Sequence, residues 1–253
     1  MNYPELIDIE ITNYCNAHCI FCDNDQLANR KKMDVALIEK IIDSFPETPT
    51  ISPSMVGEPF LHDRFYDIVN LIKSRKKKVD FSTNASLIHL NLDALMLLDS
   101  NDKIRISIEG KNKDTYEYLR KGLKWDTLIY NLELLRHSRA HKVIRITNVK
   151  EIKDQIDDIV QFWKNYTGYK VSVRDEKPLK RHIKGIYVEK KCYRPTKQFV
   201  VNVDGKVCLC CNDRKGILGK LKKDIRKQWE ESLEIRNDNY DMCENCNFKF
   251  LPL

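Results

Sequence analysis

The chain has 253 residues, 42% of them apolar and 32% charged, which suits one large catalytic domain with a small appendage and excludes a disordered polypeptide. Its 44 Lys and Arg against 37 Asp and Glu leave a net charge of +7, enough to steer anionic ligands but short of the concentrated basic stripe of a nucleic-acid binder. There is no apolar run of membrane-spanning length, and the start MNYPELIDIEITNYC lacks a basic region followed by an apolar core, so no membrane span or secretory signal is expected and the cytoplasm is the expected compartment.

In chain order, short β-branched runs alternate with amphipathic stretches. Leu6 to Ile11, Thr48 to Pro53, Lys78 to Ser82, Lys103 to Ile108, Val143 to Thr147 and Lys170 to Arg174 read as strands. Val35 to Ser44, Phe65 to Ser74, Leu90 to Leu98, Thr115 to Leu119 with Trp125 to Ser138, and Gln155 to Tyr166 carry apolar residues at helical spacing. The basic run Lys73 to Lys78 closes the second helix, where cations complement the negative helix end. Six βα repeats predict an open, partial (β/α)6 TIM-like barrel of the α/β class, with reactive groups on the loops after the strands' carboxyl ends. Beyond the barrel the pattern changes to a Lys-rich linker, a hairpin (FVVNVDGKVCL, turning at Asp204-Gly205), a helix near Ile225 to Arg236 and a terminal CENC. The boundary falls at 176/177: a barrel over 1–176 and a small cysteine-rich module over 177–253.

Nine cysteines fall into two groups, Cys15, Cys19 and Cys22 near the start and Cys192, Cys208, Cys210, Cys211, Cys243 and Cys246 near the end. In a reducing compartment such clustering argues for metal ligation over disulfides. Three thiolates in CNAHCIFC, directly after the first strand, can hold three irons of a cubane cluster and leave the fourth open to a ligand. A structural zinc site normally wants four protein ligands, and His18, adjacent to Cys19, cannot easily turn to the same ion.

This CxxxCxxC loop resembles the signature of the radical S-adenosylmethionine (SAM) superfamily. The resemblance implies a [4Fe-4S] cluster on Cys15, Cys19 and Cys22 whose open iron is chelated by SAM, reductive cleavage of SAM to a 5′-deoxyadenosyl radical, and abstraction of a substrate hydrogen. Phe21 matches the aromatic position near the adenine. MVGEPF resembles the family's GGEP loop, with Val56 replacing its first glycine; Gly57 allows close backbone approach and Glu58 offers a carboxylate to the amine of SAM. STNAS resembles TNG and makes Asn84 a nucleoside contact, with Ala85 where glycine is common. ISIEG is similar to SIDG and makes Ser107 a hydrogen-bond partner of the cofactor. Arg120 matches the arginine that pairs with the SAM carboxylate, a task suited to its planar fork.

Cys192, Cys210, Cys243 and Cys246 resemble the ligand set of a twitch module, the shortened SPASM domain, which implies one auxiliary [4Fe-4S] cluster; Gly219, Ile225 and Trp229 also stand at matching places. Four such thiolates would equally suit zinc, so a non-catalytic zinc-binding interaction protein is the reading from another class. Cys208 and Cys211 are left over, as spare ligands, inert thiols or hydrogen-atom donors. Length and cysteine layout resemble 2-deoxy-scyllo-inosamine dehydrogenase, which implies dehydrogenation or epimerisation of a hydroxylated or amino-sugar-like small molecule. The alternative is a maturase acting on a ribosomally made peptide, against which the five residues ahead of the first strand weigh mildly. The electron donor expected is a flavodoxin or ferredoxin. Arg174, Glu176 and Lys177 are candidate substrate contacts, and the substrate itself is not legible.

Overall fold

The computed structural model describes residues 3–22, 29–175, 187–189, 192–236 and 250–252. Glu176, Lys177, Cys243 and Cys246 lie outside the described residues.

Six strands build the barrel: β1 (Leu6–Ile9), β3 (Thr50–Ser52), β4 (Lys78–Thr83), β5 (Lys103–Ser107), β7 (His141–Asn148) and β8 (Lys170–Asp175), all paired in parallel and in chain order. Each sits where the β-branched runs predict it. Between them lie α1 (Val35–Asp43), α2 (Phe65–Ser74), α3 (Leu92–Met96), α4 (Lys113–Leu119), α5 (Trp125–Leu135) and α6 (Ile156–Thr167). Local chemistry sets several ends. The Asp34 carboxylate accepts from Ala36 N at 2.7 Å to cap α1, and α6 stops at Gly168, whose φ of 72° only glycine adopts without strain. The third helix is shorter than its periodicity predicts, because Ile88–Leu90 forms a 3-10 turn ahead of it.

Strand alternation divides the sheet into two faces. Ile7, Ile9, Ile51, Val79, Phe81, Ile104, Ile106, Ile144 and Ile146 are buried in the main core with the helices' apolar sides, including Ile38, Ile68, Leu95 and Leu128. The alternate positions line the concave face and are polar: Asp8, Ser52, Asp80, Arg105, Ser107, Arg145, Ser172 and Arg174.

The C-terminal hairpin forms as expected, β10 (Gln198–Val201) with β11 (Val207–Cys208), turning at Gly205. It also joins the barrel, since β10 pairs in parallel with β1 and extends the sheet to eight strands. Nothing in the hairpin's alternation signals that long-range pairing. A four-residue helix, α7 (Arg194–Lys197), precedes the hairpin, and the helix after it, α8 (Ile225–Ile235), starts at an Asp224 cap and packs Trp229 edge-on against Phe199, which in turn meets Phe45 of the barrel. β9 (Tyr187–Glu189) and β12 (Phe250–Pro252) pair as two antiparallel strands apart from the main sheet.

Candidate active site

The loop after β1 carries Cys15, Cys19 and Cys22 to the carboxyl end of the barrel. Cys15 and Cys19 are half-buried and Cys22 is exposed. Burial pushes the Cys15 thiol up to about 11, with neighbouring Glu58 adding to the effect, and raises Cys19 despite the opposing Arg120. Left alone, these sulfurs therefore prefer to stay protonated; as anions they need a cation.

Neighbouring strand ends supply hydrogen-bond donors. Asn84 Nδ2 lies 4.0 Å from Cys15 Sγ and Arg120 Nη1 3.6 Å from Cys19 Sγ. Residues His18–Cys19 form a two-residue strand, β2, antiparallel to β6 (Arg120–Lys121), so the cysteine loop is clamped to the chain that follows α4. This pairing, which sequence periodicity cannot show in two residues, is what brings Arg120 to Cys19.

Gly57 serves close approach, but to the cysteine loop: a Cβ there would sit 2.5 Å from the carbonyl oxygens of Thr12 and Tyr14. Glu58 is 2% exposed, and its two carboxylate oxygens accept from Thr83 Oγ1 and Asn84 N, each at 2.7 Å. Burial lifts its pKa to about 7. It thus joins the second and third strand ends. Asn84 is fixed in turn through Nδ2 to Asn16 Oδ1 at 3.0 Å, and Asn16 donates to Ser86 at 2.8 Å. Ala85 adopts φ 64°, the left-handed region, which explains why glycine suits that position and why Asn131 pins its carbonyl from α5 at 2.8 Å.

Arg120, 6% exposed, forms an ion pair with the fully buried Glu109, whose other oxygen accepts from Thr147 N at 3.0 Å. The Arg120 guanidinium also lies 5.6 Å from the centre of the Phe21 ring. Ser107, two residues before Glu109, ends β5 on its inward face, paired in register with Arg145 of β7. Asn16 and Glu109 were not singled out in the sequence; the glutamate of ISIEG, at the place of the aspartate in SIDG, was the available signal for the second.

In the C-terminal part, Cys192 is half-buried and Cys210 nearly buried, with Asn212 N 3.4 Å from Cys210 Sγ. Asp213, also buried, accepts backbone N–H groups from Leu209, Lys215, Gly216 and Ile217 and so shapes the loop around Cys210. Cys208 is fully buried and its thiol approaches the Lys206 carbonyl at 3.7 Å; burial holds its pKa far above the usual thiol range. Cys211 differs, since Arg194 Nη1 lies 3.0 Å from its sulfur.

A cysteine loop at the carboxyl end of a six-stranded partial barrel matches the "Radical SAM superfamily" family model over residues 9–162. The chain belongs to the radical SAM superfamily. Residues 192–247 of this radical SAM protein match the "SPASM: Iron-sulfur cluster-binding domain" model. Its cofactors are therefore the [4Fe-4S] cluster with SAM and an auxiliary iron–sulfur cluster.

Among curated relatives, the chain is 37% identical over 84 residues to the tungsten-containing aldehyde ferredoxin oxidoreductase cofactor-modifying protein of Pyrococcus furiosus, covering 32% of this chain and 24% of that protein. It is 21% identical over 169 residues to mycofactocin maturase MftC of Mycolicibacterium smegmatis, covering 66% and 43%. The chain thus spans less than half the length of these relatives. Among solved structures, SuiB of Streptococcus suis bound to precursor peptide SuiA superposes with a TM-score of 0.74 at 17% identity, over 98% of this chain and 70% of that one. BtrN in complex with AdoMet and 2-DOIA gives 0.53 at 16% identity, over 97% and 93%.

The geometry fits the implied groups. Three thiols on one loop, two with donors near their sulfurs, would suit a cluster that leaves one iron open. No helix among the described residues is long and apolar enough to cross a membrane.

Proposed function

We propose that this radical SAM protein modifies a peptide substrate. Cys15, Cys19 and Cys22 hold the catalytic cluster, and Phe21, Gly57, Glu58, Asn84, Ser107 and Arg120 shape the SAM site around it. Cys192, Cys210, Cys243 and Cys246 hold the auxiliary cluster in the module over 177–253, and the barrel over 1–176 encloses the substrate. When bound, the cluster and SAM supply the radical that removes a substrate hydrogen.

The chain's own groups position and exclude. Arg120, oriented by Glu109 through Nε and by Cys19 through Nη1, offers its remaining guanidinium hydrogens to a carboxylate, as the SAM methionine group requires. Glu58 retains acceptor capacity beyond the Thr83 and Asn84 bonds for an ammonium. Gly57 and Asn16 hold the cysteine loop against the neighbouring strand ends.

One comparison carries the peptide reading: the fold agrees over 98% of the chain with the SuiB–peptide structure, at 0.74, against 0.53 for BtrN. The curated relative MftC is likewise named a maturase. A hydroxylated or amino-sugar-like small molecule, with dehydrogenation or epimerisation as the reaction, is the second reading, supported by BtrN covering 93% of its own length on this fold.

The test is deuterium transfer. The reconstituted protein is incubated with SAM, a reductant and either a set of deuterated synthetic peptides or deuterated amino-cyclitols. Label entering 5′-deoxyadenosine from a peptide alone is the expected result. Label from the cyclitols alone reverses the assignment.

A further inference from the structure

The concave face of the barrel carries more positive charge than it neutralises. Arg105 on β5, Arg145 on β7 and Arg174 on β8 share this face. Ser107 stands opposite Arg145, Arg145 opposite Ser172, and Thr147 opposite Arg174, so the arginines occupy successive rows of adjacent strands. Arg194, at the start of the four-residue helix Arg194–Lys197, reaches the same space and acts electrostatically on Asp8, Arg145 and Arg174. Against these four guanidinium groups stand, among the described residues, the carboxylates of Asp8 and Asp80 and that of Glu109, which acts on Arg174 but is itself paired with Arg120.

Most of the set is already engaged. Arg105 pairs with Asp80, Arg174 donates to Thr147 Oγ1 at 3.4 Å and Arg194 to Cys211. The Arg145 backbone carbonyl accepts from Ile108 N at 3.1 Å, but its guanidinium makes no side-chain hydrogen bond or close ion pair with the described residues, Asp80 acting on it only through space. Burial, then the charges of Arg105 and Arg174, pull its pKa down to about 10. A guanidinium is charged at any physiological pH, so that depression reflects first its lost hydration and then the repulsion of its neighbours, and a bound anion would offset both.

We propose that Arg145, flanked by Arg105 and Arg174, receives an anionic group of the substrate, a carboxylate or a phosphate, inside the barrel below the SAM site. This rests on reading the barrel interior as the substrate chamber. Ser107, paired with Arg145 across the ladder, adds a hydroxyl at the same level, whereas the Ser172 hydroxyl on the other side donates to the Ile144 carbonyl at 3.3 Å. In a peptide substrate the anion is an acidic side chain, a terminal carboxylate or a phosphorylated residue next to the reacting carbon. It follows that a substrate isostere with a neutral amide in place of the acid binds poorly, because the arginines are left without their counter-charge.

The test is equilibrium binding of two probes, glutarate and inorganic phosphate, to the reconstituted protein at constant ionic strength set with chloride, followed by thermal shift and calorimetry. The expected result is saturable binding of one or both to the wild type, weakened about tenfold or more in Arg145→Met. The preferred probe identifies the source of the anion. Without a probe, Arg145→Met should melt no lower than the wild type, which a merely structural arginine would not allow; Arg174→Met is read in the same way should the first variant fail to fold. Equal binding by wild type and variant, or none by either, overturns the inference. The readout needs no turnover, so failure of the peptide assay leaves it standing, and a peptide turned over without any Arg145-dependent anion binding sinks this inference alone.

Discussion

The two cysteine-bearing regions are built by different means. Around Cys15 and Cys19, contacts run between residues far apart in sequence: Glu58 to Thr83 and Asn84, Asn84 to Asn16, Arg120 to Glu109, and β2 to β6. Around Cys210 the bonds are mostly local, with Asp213 gathering the amides of its own loop. This region is attached to the barrel by β10 on β1, by Phe199 against Phe45 and by bonds such as Val203 N to Glu10 and Arg226 to Glu47, and it is tied together by a buried arginine, Arg236, donating to the carbonyls of Pro195, Gln198 and Leu209. The first region is positioned by the barrel as a whole. The second is a self-shaped loop docked onto the barrel's first strand.

The largest expected effect separates the regions by chemistry. Cys19→Ala should abolish formation of 5′-deoxyadenosine from SAM. Cys210→Ala should leave that cleavage in place while lowering the iron content by about one cubane. Cleavage persisting in the first variant, or lost in the second with its barrel cluster intact, would break the division of labour between the two cysteine groups.

Next in size is a contest between the two buried arginines. Arg120→Met leaves Glu109 buried without its counter-charge, a change that costs about 3–5 kcal/mol. Arg236→Met leaves carbonyls without a donor, at about 1–3 kcal/mol. Urea unfolding midpoints should fall in that order, and Glu109→Gln combined with Arg120→Met should recover part of the first loss. If Arg236→Met proves the more damaging, the docked module is the stiffer of the two regions.

Much of this was legible because barrels repeat. Each βα unit writes its own hydrophobic period, so all six strands and their helices could be read locally, and the cysteine spacing marks its loop without reference to the fold. What stayed hidden depends on residues meeting across the chain. The two-residue pairing of His18–Cys19 with Arg120–Lys121 has no periodicity to detect. Glu58 was read as facing the cofactor's amine, yet both its oxygens also tie strand ends together, which follows only once Thr83 and Asn84 are seen beside it. Ala85, noted only as a departure from glycine, turns out to be a left-handed residue held by Asn131.

The smallest expected effect probes β1, the strand that both regions share. Asp8 faces the concave side and is almost fully buried; burial lifts its pKa to about 6, against the pull of Ser52 and of Arg105 and Arg194. Between the unfolded value, near 4, and 6 the folded chain holds a proton that the unfolded chain has released. Asp8 therefore contributes less stability as pH rises through that window, and the penalty is complete above about pH 6. Asp8→Asn keeps the shape without the charge, so it should raise stability at pH 8 by about 1–3 kcal/mol and by almost nothing at pH 4. Melting curves of both proteins across this range check the sign. A gain that does not depend on pH would mean that folding leaves the Asp8 titration unshifted, and a loss at pH 8 would mean that its carboxylate is held by the surrounding arginines more tightly than burial opposes it, in which case β1 is anchored to the arginine-lined interior as firmly as to β10.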